Sequence, residues 1–557
     1  MRRRRGVVDA EHADWIFHGG AVHPMDGTDP ASALAVRSGR IVAVGAAAHE
    51  LRGPGTEVVD LEGAALLPGF QDAHVHAVAA GLQLLGCDLS GVHGAAEYRT
   101  LIASYVADHP EPTWIQGSGW YGDVFAGGFP HRDVLDQLVP DRPAVLTSHD
   151  VHSVWVNSEA LRRAGITATT PDPVGGRIQR GPGGEPTGVL FEAAAGLVTS
   201  LLPGPDARRL SEALMTAQAE LHRLGITAWQ DAAVGTAEVF DDSYDTYVSA
   251  AESGRLTAKV TGALWWRRDG GPGQLELLRD RRRRVSAGRF TATAVKIMQD
   301  GVCENHTAAL LSPYRGLDGE TGLSFIPPEE LEAVVAALVA ERFDLHLHAV
   351  GDRAVRECLD ALEAAGTVPA GWDPRHQIAH IDLIDRGDIA RMTRLGVIAN
   401  VQPLWARQDT VLVATKLPFL TEDQRARHFA FGSLARAGVP LAMGSDWPVS
   451  SPDPVWGIHV AVNRTAPLAD VHAADEHAQT VPLLAAEAVG VRAAVHGYTA
   501  GAARANRLEH ESGTLTIGKA ADLVVLDGDP FAVDARDLSS LRVRATFVDG
   551  VPVHEAW

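Results

Sequence analysis

The chain has 557 residues, of which 46% are hydrophobic and 21% are charged, as is typical of a compact globular protein. Its 49 basic and 70 acidic residues give a formal net charge of −21. This charge disfavours nucleic acid and anionic membranes as partners, because both attract positive surfaces. The three cysteines, Cys87, Cys303 and Cys358, are too few and too far apart for a disulfide framework or a cysteine-rich zinc site.

The start of the chain and its apolar runs give no targeting or membrane signal. The arginine-rich first residues are followed by GVVDAEHADW, which carries acids where a signal peptide requires an apolar segment. No stretch approaches the roughly 20 apolar residues of a membrane-spanning helix. We therefore expect a cytoplasmic protein that acts on a small molecule and has no nucleic-acid or membrane partner. A homodimer is kept as one option for its assembly.

Both ends of the chain have the pattern of short strands. Residues 1–65 contain DWIFHGGAVHPM and SALAVRSGRIVAVG, and residues 491–557 contain GTLTIGKAADLVVLDGDP and VRATFVDG. Alternating apolar residues with glycines between them indicate a small antiparallel sheet. Because these ends flank a middle of different character, we predict that they form one composite β-sandwich domain.

The middle of the chain, residues 66–490, alternates strand-like runs with helical segments such as PPEELEAVVAALVAERF. Eight strand-like runs recur in it: ALLPGFQDAHVHA, ITAWQDAA, TAKVTGALWW, TATAVKIMQDG, FDLHLHAVGD, RHQIAHIDL, GVIANVQPLW and VPLAMGSDWP. Eight strands alternating with helices predict an α/β fold, the (β/α)₈ TIM barrel. A doubly wound open sheet is the alternative, but the sequence offers no Gly-x-Gly-x-x-Gly after a first strand to support it.

The spacing of these strands is uneven. The first ends near His76 and the second begins near Ile226. About 150 residues lie between them, far more than the roughly 2–6 residues of a usual βα loop. They include the Pro/Gly-rich PDPVGGRIQRGPGGEPTGVL. We therefore predict a subdomain inserted after the first strand, over about residues 88–222.

The first strand ends in LLPGFQDAHVHA, which places His74 and His76 two residues apart beside Asp72. Residues i and i+2 of a strand point to the same face, so both imidazoles project from one surface. Two neutral imidazoles so placed could share a cation. The alternative is that they are ordinary polar residues at a strand end, since this short pattern often arises by chance.

Other residues with metal-binding side chains stand at the ends of four more predicted strands: Lys296, His348, His380 and Asp446. In a (β/α)₈ barrel these strand ends converge on one mouth, where active sites are built. Histidine, aspartate and lysine together make a nitrogen and oxygen site that suits zinc or another divalent first-row metal.

Lys296 is the unexpected member of this set, because an ammonium group repels cations. A buried lysine can lose its proton, however, and its amine can take up CO₂ to form a carbamate. The carbamate is an anion with two oxygens and can bridge two metal ions about 3.5 Å apart. The alternative is an ion pair between Lys296 and Asp300.

The sequence resembles the amidohydrolase superfamily, and within it the branch (amidohydrolase family 3) that contains N-substituted formamide deformylases. The resemblance extends essentially from end to end. It is carried by the motifs LLPGFQDAHVH, VHSVWVNSEAL, GGRIQRGPGGEPTGVLFE, AVKIMQDG, HAVGDRAV, IAHIDL, GSDWPV and GTLTIGKAADLVVLDGDP.

The resemblance implies a role for each candidate residue. His74, His76 and Asp446 would bind a first zinc ion, His348 and His380 a second, and carboxylated Lys296 would bridge both ions. Asp446 would also be the catalytic proton shuttle. The implied activity is cleavage of a C–N bond other than a peptide bond, by attack of a metal-bound hydroxide. N-substituted formamides, amides, cyclic amides and carbamates are the candidate substrates.

Several alternatives stay open. The same site could serve an ester or lactone hydrolase, an isomerase or a lyase, and the barrel could be a non-catalytic binding protein. One-metal and two-metal forms both occur in the superfamily. Trp120 and His152 lie in the insertion, where a lid would cover the mouth, and are candidate substrate contacts. His346 lies one layer deeper than His348 and is predicted to be a packed core residue, and His376 is left unassigned.

Overall fold

The computed structural model describes residues 12–110, 114–149, 151, 153–173, 176–237, 241–285, 288–366 and 368–557. The chain begins with five strands: β1 (Trp15–Val22), β2 (Ala31–Arg37), β3 (Arg40–Val44), β4 (Glu57–Asp60) and β5 (Ala65–Pro68). It then enters the barrel with β6 (Phe70–Val75), which is followed by α1 (Ala77–Leu84).

A separate sheet interrupts the barrel after α1. Its elements are β7 (Cys87–Asp88), α2 (Ala95–Asp108), β8 (Ile115–Trp120), α3 (Arg132–Leu138), β9 (Ala144–Ser148), β10 (Ser153–Val156), α4 (Ser158–Arg163), β11 (Gly176–Arg180), β12 (Pro186–Glu192) and α5 (Gly196–Thr199). The strand order is β11-β12-β10-β9-β8-β7. This sheet packs around apolar clusters of its own, so the predicted insertion after the first barrel strand is a separate folded unit.

The barrel then continues to its last strand. Its elements are α6 (Ala207–Arg223), β13 (Ile226–Val234), α7 (Tyr244–Glu252), β14 (Lys259–Trp265), α8 (Gln274–Arg284), β15 (Phe290–Met298), α9 (Pro328–Ala340), β16 (Asp344–Ala349), α10 (Asp352–Ala364), β17 (Gln377–His380), α11 (Arg386–Leu395), β18 (Ile398–Val401), α12 (Glu422–Arg425), α13 (Phe431–Arg436) and β19 (Leu441–Met443).

The remaining elements complete the outer helices and the terminal sheet. They are α14 (Pro454–Asn463), α15 (Glu476–Thr480), α16 (Val491–His496), α17 (Ala502–Ala505), β20 (Leu523–Leu526), β21 (Val543–Val548) and β22 (Val551–Glu555). Among the described residues, no helix combines the length and the apolar character needed to cross a membrane.

Eight strands pair in parallel in the order β6-β13-β14-β15-β16-β17-β18-β19. Strands such as β13 and β16 are buried along their whole length, because helices cover one face of the sheet and the barrel interior covers the other. The loop after β19 returns to β6, where the backbone N–H of Asp446 donates to the carbonyl of His74 at 2.7 Å. The predicted (β/α)₈ barrel is confirmed.

The strands of both termini form one sheet, in the order β22-β21-β20-β5-β1-β2-β3 with β4 beside β1. Strands β1 and β21 are three strand spacings apart, or about 14 Å in a flat sheet. Phe17 of β1 and Phe547 of β21 nevertheless lie with ring centroids 5.3 Å apart. The sheet therefore folds over on itself around an apolar core, which is the composite domain predicted from the two ends.

Helix α6 packs closely against α1. A Cβ atom added at Gly81 of α1 would lie 1.9 Å from the carbonyl oxygen of Ala213 in α6, so glycine allows the two helices to touch. The apolar face of α6 belongs to the core that surrounds the barrel. The segment predicted as the insertion thus contains both the separate sheet and a helix of the barrel layer, and the exact domain boundaries stay predictions.

A buried ion cluster joins the barrel to the terminal sheet. Lys259 at the start of β14 donates to Asp522 at 2.6 Å and to Asp549 at 2.9 Å. Lys259 and Asp522 are 5% and 2% exposed. Removing one partner of a buried ion pair leaves an uncompensated charge, which typically costs about 3–5 kcal/mol. This cluster should therefore make a large contribution to stability.

We expect Lys259→Met to lower the melting temperature by several degrees, measured by thermal unfolding followed by circular dichroism. Arg162→Ala is the control, because Arg162 is 71% exposed and pairs with Glu159 on the protein surface. Exposed pairs contribute little, so this control should melt like the wild type. Equal melting temperatures for all three proteins would show that the cluster does not hold the two units together.

Candidate active site

Two histidines leave the first barrel strand on the same side. His74 lies in β6, His76 follows its last residue, and both side chains are buried. Their ring centroids are 5.5 Å apart. Ordinary polar residues at a strand end would face water, whereas these two rings face other titratable groups inside the barrel mouth.

The carboxylate of Asp446 lies between these two histidines. Its Oδ1 is 3.3 Å from His74 Nε2 and 3.1 Å from His76 Nε2. Asp446 has a φ of 56°, which is uncommon for a residue other than glycine. Residues held in such a conformation cluster at functional sites, because the surrounding structure has to impose it. Here the hydrogen bond between the backbones of Asp446 and His74 helps to impose it.

A second buried carboxylate, Asp72, supports the same junction. It accepts hydrogen bonds from the backbone N–H of His74 at 2.9 Å and from the hydroxyl of Ser445 at 2.6 Å. Burial raises the pKa of Asp72 to about 7. The acid that precedes the two histidines in sequence therefore ties β6 to the loop that carries Asp446.

Lys296 reaches the same cluster from β15, and its side chain is buried. Its Nζ lies 3.2 Å from His74 Nε2. Burial lowers the pKa of Lys296 to about 8, so more of its neutral amine exists near neutral pH than for an ordinary lysine. The alternative partner Asp300 is occupied by three backbone N–H groups, those of Ala309, Val350 and Gly351.

His348 and His380 lie at the ends of the neighbouring strands β16 and β17, with ring centroids 4.4 Å apart. The ring of His380 is also 4.8 Å from that of His74, which joins both histidine pairs into one cluster. Like Asp446, His380 has a positive φ, of 78°. Trp405 stacks on its ring at 5.3 Å with an interplanar angle of 5° and so limits its orientation.

The structure thus brings together all six residues predicted as metal ligands. Donor atoms of His74, His380 and Asp446 lie within 4.8 Å of one another. Burial is the main reason that the pKa values of His74 and His380 lie well below the usual range. Their rings are therefore neutral and keep a lone pair, the form in which histidine binds metals. This donor set fits a divalent metal ion.

Two further histidines lie deeper in the barrel. His346 is fully buried, as predicted, but its Nε2 is also 2.9 Å from Nδ1 of His74. It is therefore a direct hydrogen-bond partner of a candidate ligand, which the sequence pattern did not reveal. The Nδ1 of His376 accepts from the backbone N–H of Leu345 at 3.1 Å, which is a structural contact.

Trp120 lies in the core of the insertion, whereas a lid residue would face the barrel mouth. Trp120 is 2% exposed and packs in the core of the insertion, where its Nε1 donates to the carbonyl of Leu146 at 2.8 Å. Its role as a substrate contact stays a prediction. His152, the other candidate contact, lies outside the described residues.

The residue after Trp120 lies between the insertion and the barrel. The Tyr121 ring stacks between His149, at 3.7 Å, and His472, at 4.1 Å. His472 belongs to a loop that follows α14, so this stack joins the insertion to the barrel. Adjacent residues at a strand end point in opposite directions, so the sequence indicated that Trp120 and Tyr121 face opposite ways but not which of them faces the barrel.

An eight-stranded barrel with a buried cluster of candidate metal ligands at the carboxyl ends of its strands has the architecture of a barrel enzyme. A family model described as "Amidohydrolase family" matches residues 57–554. The chain belongs to the amidohydrolase family and is therefore a hydrolase.

Individual relatives cover nearly the whole chain. "Protein LONG AFTER FAR-RED 3" of Arabidopsis thaliana is 32% identical over 97% of this chain and 91% of its own length. "N-substituted formamide deformylase" of Arthrobacter pascens is 28% identical over 94% and 95%. A solved structure from Pyrococcus horikoshii OT3, titled as an uncharacterized metal-dependent hydrolase, has the same fold, with a TM-score of 0.72 at 23% identity over 94% and 99% of the two chains.

Proposed function

We propose that the protein is a metal-dependent amidohydrolase that cleaves the C–N bond of an amide-type substrate. The observation that carries the proposal is the close approach of donor atoms from His74, His380 and Asp446. These residues come from three different strand ends and are all buried. Nitrogen and oxygen donors that approach one another in a buried site are the arrangement in which proteins bind a divalent metal ion, which supports the proposal.

The remaining predicted ligands would complete two metal sites. His74, His76 and Asp446 would hold one ion, and His348 and His380 would hold the other, with Lys296 between them. When bound, zinc ions at such a site lower the pKa of water, so that hydroxide is available near neutral pH, and polarise a carbonyl group.

Asp446 is placed to move the proton of this reaction. Burial raises its pKa, but the hydrogen bond with His76 and the other basic side chains around it outweigh this effect, so its pKa lies below the usual value. The carboxylate is therefore ionised at neutral pH and can accept a proton at an oxygen. It can then deliver this proton to the departing nitrogen, as general acid–base catalysis requires.

Lys296 would act as a carbamate. Its amine nitrogen forms a bond to the carbon of CO₂ and releases a proton, which converts a group that repels cations into an anion with two oxygens. The burial that favours the neutral amine supports this reaction, because only the neutral amine attacks CO₂. The ion pair with Asp300, the alternative for Lys296, is absent among the described contacts of that carboxylate.

An N-substituted formamide is the substrate that we propose within the wider class of amides, cyclic amides and carbamates. Support comes from the relative in Arthrobacter pascens, whose name states this activity. A second line of support is Trp405, whose ring stacks on that of His380, since apolar side chains beside the site suit an uncharged N-substituted amide.

Metal analysis tests the first part of this proposal. We expect between one and two equivalents of zinc or a similar ion per chain of purified protein. Activity should disappear after chelation and return when the metal is restored. An active preparation that contains no metal would contradict the proposal.

A substrate panel with product identification tests the second part. We expect turnover of N-substituted formamides or related amides with release of an amine, detected by mass spectrometry. Preferred turnover of esters or lactones, or an isomerised product without hydrolysis, would assign the same site to a different reaction. Metal binding without turnover across the panel would favour a binding protein.

A further inference from the structure

The inner wall of the barrel carries polar side chains that have no place in the proposed reaction. Barrel interiors are usually filled by branched apolar residues, and buried amides are costly unless they form hydrogen bonds. Five such polar side chains lie beneath the candidate ligands and are at most 2% exposed: Gln230, His346, Gln377, Asn400 and Gln402. Packing alone does not explain why they are polar.

These side chains form a continuous hydrogen-bonded chain that starts at His74. His74 Nδ1 lies 2.9 Å from His346 Nε2, and His346 Nδ1 bonds to Gln230 Oε1. The same oxygen accepts from Gln377 Nε2 at 2.9 Å, and Gln377 Oε1 accepts from Asn400 Nδ2 at 2.7 Å.

From Asn400 the hydrogen bonds continue to the second histidine pair, His348 and His380. Asn400 Oδ1 accepts from Gln402 Nε2 at 3.2 Å, and Gln402 Oε1 lies 2.9 Å from His380 Nδ1. Asn400 is thus the branch point between a ligand on β6 and a ligand on β17. It lies on β18, a strand that carries none of the predicted ligands.

One backbone carbonyl determines the direction of the bonds toward His74. Asn400 Nδ2 lies 2.8 Å from the carbonyl oxygen of Ala73, which can only accept, so the amide nitrogen must face it. Gln377 therefore presents its oxygen to Asn400 and its nitrogen to Gln230. Because Gln230 Oε1 then accepts from His346 Nδ1, a neutral His346 is left with an Nε2 that can only accept.

The tautomers of two candidate ligands follow from these directions. His74 must carry its hydrogen on Nδ1 to donate to His346, which leaves the lone pair on the Nε2 that faces Asp446 and Lys296. His380 must likewise carry its hydrogen on Nδ1, because Gln402 Oε1 can only accept. Both histidines then offer Nε2 to a metal.

We propose that this polar chain, branching at Asn400, sets the tautomers and ring orientations of His74 and His380 so that both present an unprotonated Nε2 to the metal ions. Asn400, Gln402, Gln230, Gln377 and His346 are positioning residues. The inference rests on the proposed function, because it requires that the two histidines bind metal. The amide of Asn400 connects a candidate ligand of one metal site, His74, with a candidate ligand of the other, His380.

The test is titration of the metal-depleted protein with Zn²⁺ in competition with a chromogenic chelator. Substituting partners that orient metal ligands typically lowers metal affinity by about 10–100-fold. Asn400→Leu should weaken both metal sites by about this factor. Gln402→Leu should weaken only the site that contains His380.

A conservative variant separates positioning from packing. Gln402→Glu keeps an oxygen that accepts from His380 Nδ1 but, when ionised, cannot donate to Asn400 Oδ1, so its Zn²⁺ affinity should fall less than that of Gln402→Leu. Thr546→Val is the matched control: Thr546 is fully buried in β21 of the terminal sheet and donates to the carbonyl of His222 at 2.7 Å, away from the polar chain. This control should lose stability but keep its Zn²⁺ affinity.

Nitrogen-15 NMR of labelled histidines gives a readout that does not depend on metal. In the metal-depleted wild type, His74 and His380 should each show a protonated Nδ1 and a bare Nε2, and Asn400→Leu should show mixed tautomers. Unchanged Zn²⁺ affinity in Asn400→Leu and Gln402→Leu, or equal losses in Gln402→Leu and Gln402→Glu, would overturn the inference. A wild type that binds no Zn²⁺ would instead overturn the proposed function.

Discussion

Asp446→Asn is expected to lower kcat by about 10²–10⁴-fold, the usual contribution of general acid–base catalysis, while the protein stays folded and keeps most of its metal. Asparagine has the same size and retains one oxygen that can coordinate a metal. It cannot accept a proton at neutral pH. The carboxylate of Asp446 contacts both His74 and His76 through Oδ1, and the oxygen of an asparagine can occupy the same position.

The measurements are kcat, metal content and the circular dichroism spectrum of the same preparation. His74→Ala is the comparison, because it removes a ligand of the same cluster and should lose metal and activity together. Near-normal turnover of Asp446→Asn with its metals in place would mean that another group transfers the proton.

Lys296→Ala is expected to lose most of its bound metal and, with it, nearly all activity. The substitution removes the proposed bridging group, whose Nζ lies 3.2 Å from His74 Nε2. Short carboxylic acids added to the variant should restore part of the activity, because a carboxylate can replace the two oxygens of the carbamate. Metal analysis and initial rates with and without the added acid measure these effects.

Lys259→Met provides the matched control for Lys296→Ala. It also removes a buried lysine, but this lysine pairs with Asp522 and Asp549 at the junction with the terminal sheet. Its metal content should equal that of the wild type. Full metal occupancy in Lys296→Ala, or an unmodified ammonium in a metal-loaded crystal structure grown with bicarbonate, would exclude the carbamate.

The barrel could be predicted from the sequence because its signal is local. Each strand is a short apolar run with turn residues after it, and burial on both faces produces such runs. The long interval between His76 and Ile226 indicated an inserted unit for the same reason, since a βα loop does not need so many residues. Both features depend on neighbours along the chain.

The candidate ligands were also visible in the sequence, since a histidine, lysine or aspartate at the end of an apolar strand stands out from its surroundings. The parallel barrel then requires that all of these strand ends meet at one mouth. His74, Lys296, His380 and Asp446 could therefore be grouped although long stretches of chain separate them, and the structure brings their side chains together.

The directions of side chains and their contact partners could not be predicted from the sequence. Trp120 and Tyr121 are neighbours in the sequence, but one enters the core of the insertion and the other stacks between His149 and His472. Which of them faces the barrel depends on how the insertion docks. The sequence had suggested Trp120 because it lies in the insertion, where a lid would cover the mouth.

The sequence by itself thus determined the succession of strands and helices and the set of candidate metal ligands at the strand ends, because periodicity and residue type are properties of short segments. The tertiary structure alone decided how these side chains are supported. Gln230, His346 and Asn400 stand in apolar runs on three strands and gain a role only because barrel closure brings them into one hydrogen-bonded chain. Hydrogen bonds form over about 3 Å with a required direction, and only the folded barrel sets distances and directions between strands so far apart in sequence.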